Sequence, residues 1–241
     1  ENIFDLPADF HRLIHLANFQ AKLYRTMGSN INSPDGLIEG KERGKCLATL
    51  ELDLENLNNT ILKINVGTTT SNSSKKTNTE GKNSTSIEIY YLYVKLMICC
   101  FAFLPETPKK DQKKHVFNAY KSSTRIITLV SQLLENGKQQ LLELPIYVRQ
   151  GCTYAALMLF KLYLTPMLDN KYVDSARQSI VTVHRLYRNQ LTAWATSVEN
   201  DISRTASVLE KLNFVLITNP EVFIEEDGII SRMRSHKKKR T

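Results

Sequence analysis

Four cationic side chains and a tyrosine are the residues whose chemistry points most directly to a binding site. Arg149 precedes a strongly apolar segment. Further along the chain, His184 lies seven residues after Arg177, and Arg188 lies four residues after His184. These spacings place the last three on one flank of a helix. Tyr147 adds a hydroxyl close to Arg149 along the chain. Because an arginine fork matches a carboxylate at two points, the set predicts a site for a small carboxylate-bearing metabolite.

A second interpretation of the same arginines is open. They would form structural ion pairs with carboxylates that lie nearby along the chain, namely Glu135, Glu143, Asp174, Glu199 and Asp201. His184 would then be a partly buried, hydrogen-bonded histidine beside an apolar stripe, and not a base. Sequence spacing does not separate the two interpretations, since both use the same side chains.

The segments that carry these residues have helical periodicity. Pro145 suits a first helical turn, and the residues up to Leu164 are apolar on nearly every face, which predicts a buried central helix. Apolar residues from Tyr172 to Val198 recur at three- and four-residue steps, which predicts a long amphipathic helix. Further helices are expected over 8–27, 45–63, 87–104 and 109–137, and from 201 to the residue pair 219–220. The predicted fold is all-α, with about seven helices in antiparallel pairs around the central helix.

The inner faces of the first two helices follow from the same periodicity. In the first, the apolar stripe expected to face the core comprises Phe10, Leu13, Ile14, Ala17, Ala21 and Tyr24. In the second, the expected inner stripe comprises Leu47, Leu50, Leu54, Leu57, Ile61 and Ile64.

Length and composition bound the domain organisation. With 241 residues and 42% apolar composition, the chain can form one large helical domain over 1–236. Residues 67–86 contain no apolar side chain, so they predict a disordered loop inserted in that domain. Residues 237–241 form a basic tail that carries four of the formal net charge of +8. The tail could be a nuclear-import signal, a nucleic-acid contact or an addition to the natural chain.

Several functional classes are disfavoured by what the sequence lacks. It has no phosphate-binding glycine loop, GxSxG or HExxH motif, so we expect no enzyme. The four cysteines lie in apolar helical settings without a CxxC pair, so we expect no metal or other cofactor in this chain. No signal peptide is visible, and the apolar runs are shorter than the roughly 20 residues of a membrane span, so we expect no membrane partner. No DNA-binding motif is visible either.

Three runs of sequence resemble the regulatory region of fungal zinc-cluster transcription factors. They are Pro145-Ile-Tyr-Val-Arg-Gln-Gly-Cys-Thr-Tyr-Ala-Ala-Leu, Tyr172-Val-Asp-Ser-Ala-Arg-Gln-Ser-Ile and Ile230-Ser-Arg-Met-Arg-Ser-His. Within that family, Val183-His-Arg-Leu-Tyr-Arg-Asn-Gln-Leu-Thr-Ala-Trp-Ala-Thr is most similar to the yeast activator of leucine biosynthesis. The resemblance covers about 87–236 and is weaker before it.

The resemblance implies a nuclear regulatory domain that controls amino-acid (leucine) biosynthesis genes and senses the pathway intermediate α-isopropylmalate. It implies coactivators or other transcription machinery as partners, allows a homodimer, and places zinc and DNA binding in a domain absent from this chain. A branched hydroxy-dicarboxylate agrees with the cationic set named above, but no family motif assigns its contacts. The alternative is a helical protein-interaction module without a small-molecule ligand.

Overall fold

The computed structural model describes residues 8–29, 36–64, 78–104, 106–137, 140–164, 168–192 and 201–218. Over these ranges the chain forms seven α-helices and no strand, which confirms the all-α prediction. The helices are α1 Ala8–Met27, α2 Gly40–Leu57, α3 Asn78–Ala102, α4 Lys109–Gly137, α5 Ile146–Leu164, α6 Asn170–Thr192 and α7 Asp201–Thr218. A π-helical turn, Asn58–Leu62, extends α2, and a 3-10 turn, Leu141–Glu143, precedes α5.

The segment 67–86, expected to be a disordered loop, overlaps the start of α3, and the loop itself stays a prediction. Helix α3 begins at Asn78, nine residues before the apolar segment that starts at Ile87. Once the apolar segment has nucleated a helix, each added residue contributes a hydrogen bond without a new nucleation cost, so polar residues continue it. Residues 65–77 lie outside the described ranges, as do the basic tail over 237–241 and the predicted last turn of the long amphipathic helix, 193–198.

The chain divides into two compact units, residues 1–115 and 116–241, and the boundary falls within α4. No change of composition marks this position in the sequence, because one continuous amphipathic helix crosses it. Two compact units can belong to one domain, so the single domain over 1–236 stays a prediction.

In the first unit, α1, α2 and α3 pack against one another. Helix α3 has an 18-residue window, Thr85–Ala102, that is long and apolar enough to cross a membrane, and 61% of it is buried inside the protein. A core helix of a packed protein meets the same criterion, so this window is weak support for a membrane span.

In the second unit, α5 packs against α6 and α7, which also contact each other. Nine of the 19 residues of α5 are buried, among them Val148, Cys152 and Leu159. The prediction of a buried central helix is therefore confirmed within this unit, and α3 has the equivalent position in the first.

The orientation of α1 differs from the prediction. Its buried side chains are Leu16, Phe19, Leu23 and Met27, whereas Phe10, Ile14 and Tyr24 are exposed. Helix α1 carries two apolar stripes, and the buried one has larger side chains than the predicted one, which includes two alanines. Burial of the larger stripe removes more apolar surface from water and so stabilises the fold more.

The end of α2 also departs from regular periodicity. The π-helical turn inserts one extra residue, so Leu62 is buried where Ile61, which is 36% exposed, was expected. The turn closes when the Lys63 N–H donates to the Asn58 carbonyl at 2.6 Å, with Lys63 in the left-handed region at a φ of 51°.

Candidate functional site

Arg149 is held by the main chain of the turn before α5. Its Nη1 donates to the Leu144 carbonyl at 2.7 Å and to the Leu142 carbonyl at 3.2 Å. A guanidinium satisfies these oxygens well, because its planar fork spans several acceptors at once. The predicted ligand-binding arginine therefore joins the 3-10 turn to the first turns of α5.

A buried polar cluster links α5 to α6 at the same place. The Tyr187 hydroxyl, on a side chain only 1% exposed, lies 3.2 Å from Thr153 Oγ1 and 3.3 Å from the Arg149 carbonyl. Thr153 Oγ1 also donates to that carbonyl, at 3.0 Å. Each hydroxyl has one proton to donate. Thr153 donates its proton to the Arg149 carbonyl, so its oxygen can accept from Tyr187. The Tyr187 proton is therefore shared between the Thr153 oxygen and the same carbonyl.

The other predicted site residues lie in different environments. On α6, Arg177 and Arg188 are exposed and His184 is buried, while Tyr147 on α5 is half-buried. Within the described part of the chain, neither Arg177 nor Arg188 forms an ion pair. Glu143, one proposed partner, accepts a hydrogen bond from the Gln140 N–H at 3.1 Å.

Sequence reasoning missed two polar clusters in the first unit. Glu51 on α2 accepts from Lys114 Nζ at 2.7 Å and lies 3.2 Å from His115 Nδ1. Burial opposes ionisation of Glu51, but hydrogen bonds and the charges of both partners lower its pKa from 4.5 to about 2. No sequence signal reveals the cluster, since Lys114 is 63 positions away from Glu51.

The second missed cluster surrounds Arg43, which is 4% exposed. Its Nη1 donates to Thr107 Oγ1 at 3.0 Å and its Nη2 donates to the Ile38 carbonyl at 2.9 Å. The start of α2 approaches this region so closely that a Cβ on Gly40 would overlap the main chain of Glu106. Arg43 and Gly40 therefore hold the segment before α2 close to the segment that follows α3.

The buried thiols are shielded from reaction. Burial raises the pKa of Cys152 to about 12, and burial together with the nearby Glu51 carboxylate raises the pKa of Cys99. A thiol that does not ionise is a poor nucleophile and a poor metal ligand. Among the residues that the structure describes, no group of three His, Cys, Asp or Glu side chains could hold a metal ion.

The polar clusters described above join helices and turns to one another, as expected of a helical scaffold. The chain is 65% identical over 233 residues to a putative transcription factor SEF1 from Eremothecium gossypii, covering 97% of this chain and 20% of that protein. It is 58% identical over 236 residues to a putative transcription factor SEF1 from Saccharomyces cerevisiae, covering 98% of this chain and 19% of that one. A transcriptional regulatory protein SEF1 from Candida albicans is 50% identical over 236 residues, covering 96% of this chain and 23% of that protein.

The names of these relatives support the broad prediction that the chain comes from a transcription factor. Their names do not mention leucine biosynthesis, so the resemblance to the leucine activator stays a prediction. The chain spans about a fifth of the length of the curated relatives that it matches. No known protein-family profile matches the chain. No solved structure matches it significantly.

Proposed function

We propose that this chain is a helical regulatory segment of a nuclear transcription factor, without catalytic activity. The observation that carries the proposal is its similarity to proteins named as transcription factors over almost its whole length, 98% for the Saccharomyces cerevisiae relative. Since the chain is about a fifth of such a protein, DNA binding and any zinc site would belong to another part of the longer protein. The partners of the segment would be coactivators or other transcription machinery, and a second copy in a homodimer.

Excision of the segment from the longer protein tests this role. Residues equivalent to 8–218 would be replaced by a flexible linker, and both chromatin occupancy and genome-wide RNA levels would be measured. We expect occupancy to persist while transcription of the bound genes changes. A control protein would carry the same linker beside the intact segment. Unchanged transcription would contradict the proposal, and lost occupancy would mean that the segment contributes to DNA binding.

The finer proposal is that the segment senses α-isopropylmalate and so controls leucine-biosynthesis genes. Arg177, His184 and Arg188 support it, because they share one flank of α6 with the buried side chains of Ile180 and Val183 beside them. A branched hydroxy-dicarboxylate needs cationic donors next to an apolar wall. Arg149 and Tyr147 near the start of α5 would add donors.

Thermal-shift titration with α-isopropylmalate, with citrate and malate as controls, tests the finer proposal. Because Arg149 holds two main-chain carbonyls, its replacement would destabilise the protein without any ligand. Arg177→Ala and Arg188→Ala are better variants, and Arg185→Ala, also exposed on α6, is the matched control. We expect saturable stabilisation by α-isopropylmalate alone, lost in the two variants and kept in the control.

Absence of stabilisation, or equal stabilisation by all three acids, would contradict sensing and favour the alternative of a protein-interaction module. A specific observation favours that alternative. Helix α1 exposes Phe10 at 46%, Ile14 at 39% and Tyr24 at 51% along one stripe, and an exposed apolar patch can mark a protein-interaction surface.

A further inference from the structure

Helix α1 presents an apolar stripe to solvent, and the Tyr24 ring at its end also makes an edge contact with Phe101 of α3, with ring centroids 6.2 Å apart. The residues follow at spacings of four, three, four and three, and all five are exposed: Phe10, Ile14, Ala17, Ala21 and Tyr24. We call these residues the α1 stripe. Its spacing is that of a heptad seam, which packs against another helix, and it extends for ~21 Å. The two alanines in the middle leave room for a second helix to approach closely.

Two polar contacts accompany the rotation of α1 that leaves the stripe outside. On one side, the Tyr90 hydroxyl of α3 donates to Gln20 Oε1 at 2.7 Å. On the other side, Lys22 Nζ lies 2.7 Å from Asp53 Oδ2 of α2. These contacts flank the buried stripe that begins at Leu16, so turning the α1 stripe inward would break both of them and expose that buried stripe.

The polar side chains along one edge of the stripe can all donate hydrogen bonds, and Arg25 among them is charged. His11, Asn18 and Arg25 follow at seven-residue intervals, so they line one edge of the stripe, the position that selects partners in paired helices. Asp9, the one carboxylate of α1, lies away from this edge and pairs with Arg12 at 3.1 Å. The edge therefore has no acceptor carboxylate from α1 itself.

We propose that the α1 stripe is a docking surface for an amphipathic helix of a partner protein that carries acidic side chains beside its apolar face. Large apolar side chains at both ends of the stripe would bury the apolar face of that helix. The donors of the edge would pair with its carboxylates and fix its orientation. The inference is independent of the proposed role in transcription.

A second copy of the chain is a poorer occupant. Two α1 helices would bring these edges together without a carboxylate between them, so Arg25 would find no anionic partner there. A measurement of oligomeric state by sedimentation separates this possibility from docking of a different helix.

The experiment uses synthetic helical peptides of three heptads and the chain of 241 residues. One peptide has leucine at the seam positions and glutamate beside the seam, and its counterpart has lysine at the same positions. Fluorescence anisotropy measures binding of each peptide. A photo-crosslinking residue in place of Ala17, which is small and exposed, reports whether the acidic peptide lies on the stripe.

Two variants and one control make the test specific. Ile14→Glu places a charge in the stripe, and Leu52→Glu places the same charge at an exposed leucine of α2 in the same unit, 57% exposed. The charge-reversed variant His11→Glu, Asn18→Glu and Arg25→Glu should prefer the lysine peptide. Because all these side chains are exposed, circular dichroism should show an unchanged fold.

We expect the acidic peptide to bind about tenfold more tightly than the lysine peptide, because Arg25 attracts glutamate and repels lysine while His11 and Asn18 can donate hydrogen bonds to glutamate. Ile14→Glu should abolish binding, Leu52→Glu should leave it unchanged, and charge reversal should invert the preference. Equal binding of both peptides, no binding of either, or crosslinks away from the stripe would overturn the proposal. If the chain self-associates and Ile14→Glu removes the self-association, the surface binds a second copy. That result would also overturn the proposal.

Discussion

The Tyr187 hydroxyl of α6 lies 3.2 Å from the Thr153 hydroxyl of α5, and both reach the Arg149 carbonyl. This contact joins two helices through a partly buried hydrogen bond, in which the Tyr187 side chain is 1% exposed. A buried hydroxyl without a partner is costly, so the pair also disfavours other rotations of α6 against α5.

Tyr187→Phe should lower the free energy of unfolding by about 1 kcal/mol, because it deletes one hydrogen-bonded hydroxyl without leaving a cavity. Urea denaturation measures the change. A double-mutant cycle with Thr153→Ala should give a coupling energy of about 0.5–1 kcal/mol between the two residues. Strict additivity of the two changes would show that the hydroxyls do not interact.

Glu51 should make the protein sensitive to acid. Its folded-state pKa of about 2 lies below its ordinary value of 4.5, so the ionised carboxylate contributes stability that is complete above pH 4.5 and is lost as the pH falls toward 2. In Glu51→Gln, the free energy of unfolding should fall by about 2 kcal/mol less than in the parent protein as the pH drops from 4.5 to 2. The difference is no larger because solvent partly screens the exposed Lys114.

Urea denaturation at several pH values checks this expectation. Glu55→Gln, at an exposed carboxylate of the same helix, is the matched control and should keep the pH profile of the parent protein. Parallel profiles for Glu51→Gln and the parent would contradict the assigned role of Glu51.

Gly40→Ala should destabilise the first unit by about 2 kcal/mol, because the added Cβ overlaps the main chain of Glu106, which cannot rotate away. Gly44→Ala is the control within the same helix. Its Cβ would meet the Asp111 side chain, with Oδ2 at 2.8 Å, and that side chain can move. Since alanine is also favoured over glycine inside a helix, we expect the control to change stability by less than about 1 kcal/mol. Equal thermal midpoints for both variants would contradict the close approach.

Cys99 and Cys152 should resist alkylation in the folded protein, whereas Cys46 and Cys100, which are half-buried, should react first. The physical reason is that burial raises the pKa of both buried thiols and blocks access to them. Mass spectrometry after brief iodoacetamide treatment identifies the labelled residues, and treatment in urea should label all four. Early labelling of Cys152 would show that α5 is less protected than described.

The helices themselves follow closely from the sequence. The expected bounds of α1 over 8–27 and α4 over 109–137 are those observed, because periodicity and turn residues are local properties of the chain. The apolar character of α5 likewise predicted its burial. Helix ends were less predictable. The start of α3 at Asn78 lies in a segment without apolar residues, so hydrophobic periodicity does not indicate it.

The candidate site shows a different limit. The flank that carries Arg177, His184 and Arg188 follows from helical geometry, but the environment of each side chain depends on the neighbouring helices. Arg149 binds main-chain carbonyls five and seven residues before it, which no charge pattern indicates.

Periodicity reveals how many apolar stripes a helix has, but not which of them is buried. Helix α1 has two, and burial of the larger side chains decides which one faces α2 and α3, where Gln20 also bonds Tyr90 and Lys22 pairs with Asp53. The pairing of Glu51 with Lys114 and His115 likewise joins residues more than 60 positions apart. Such contacts form only once separate helices pack against one another, so they are properties of the packed chain and not of any one segment.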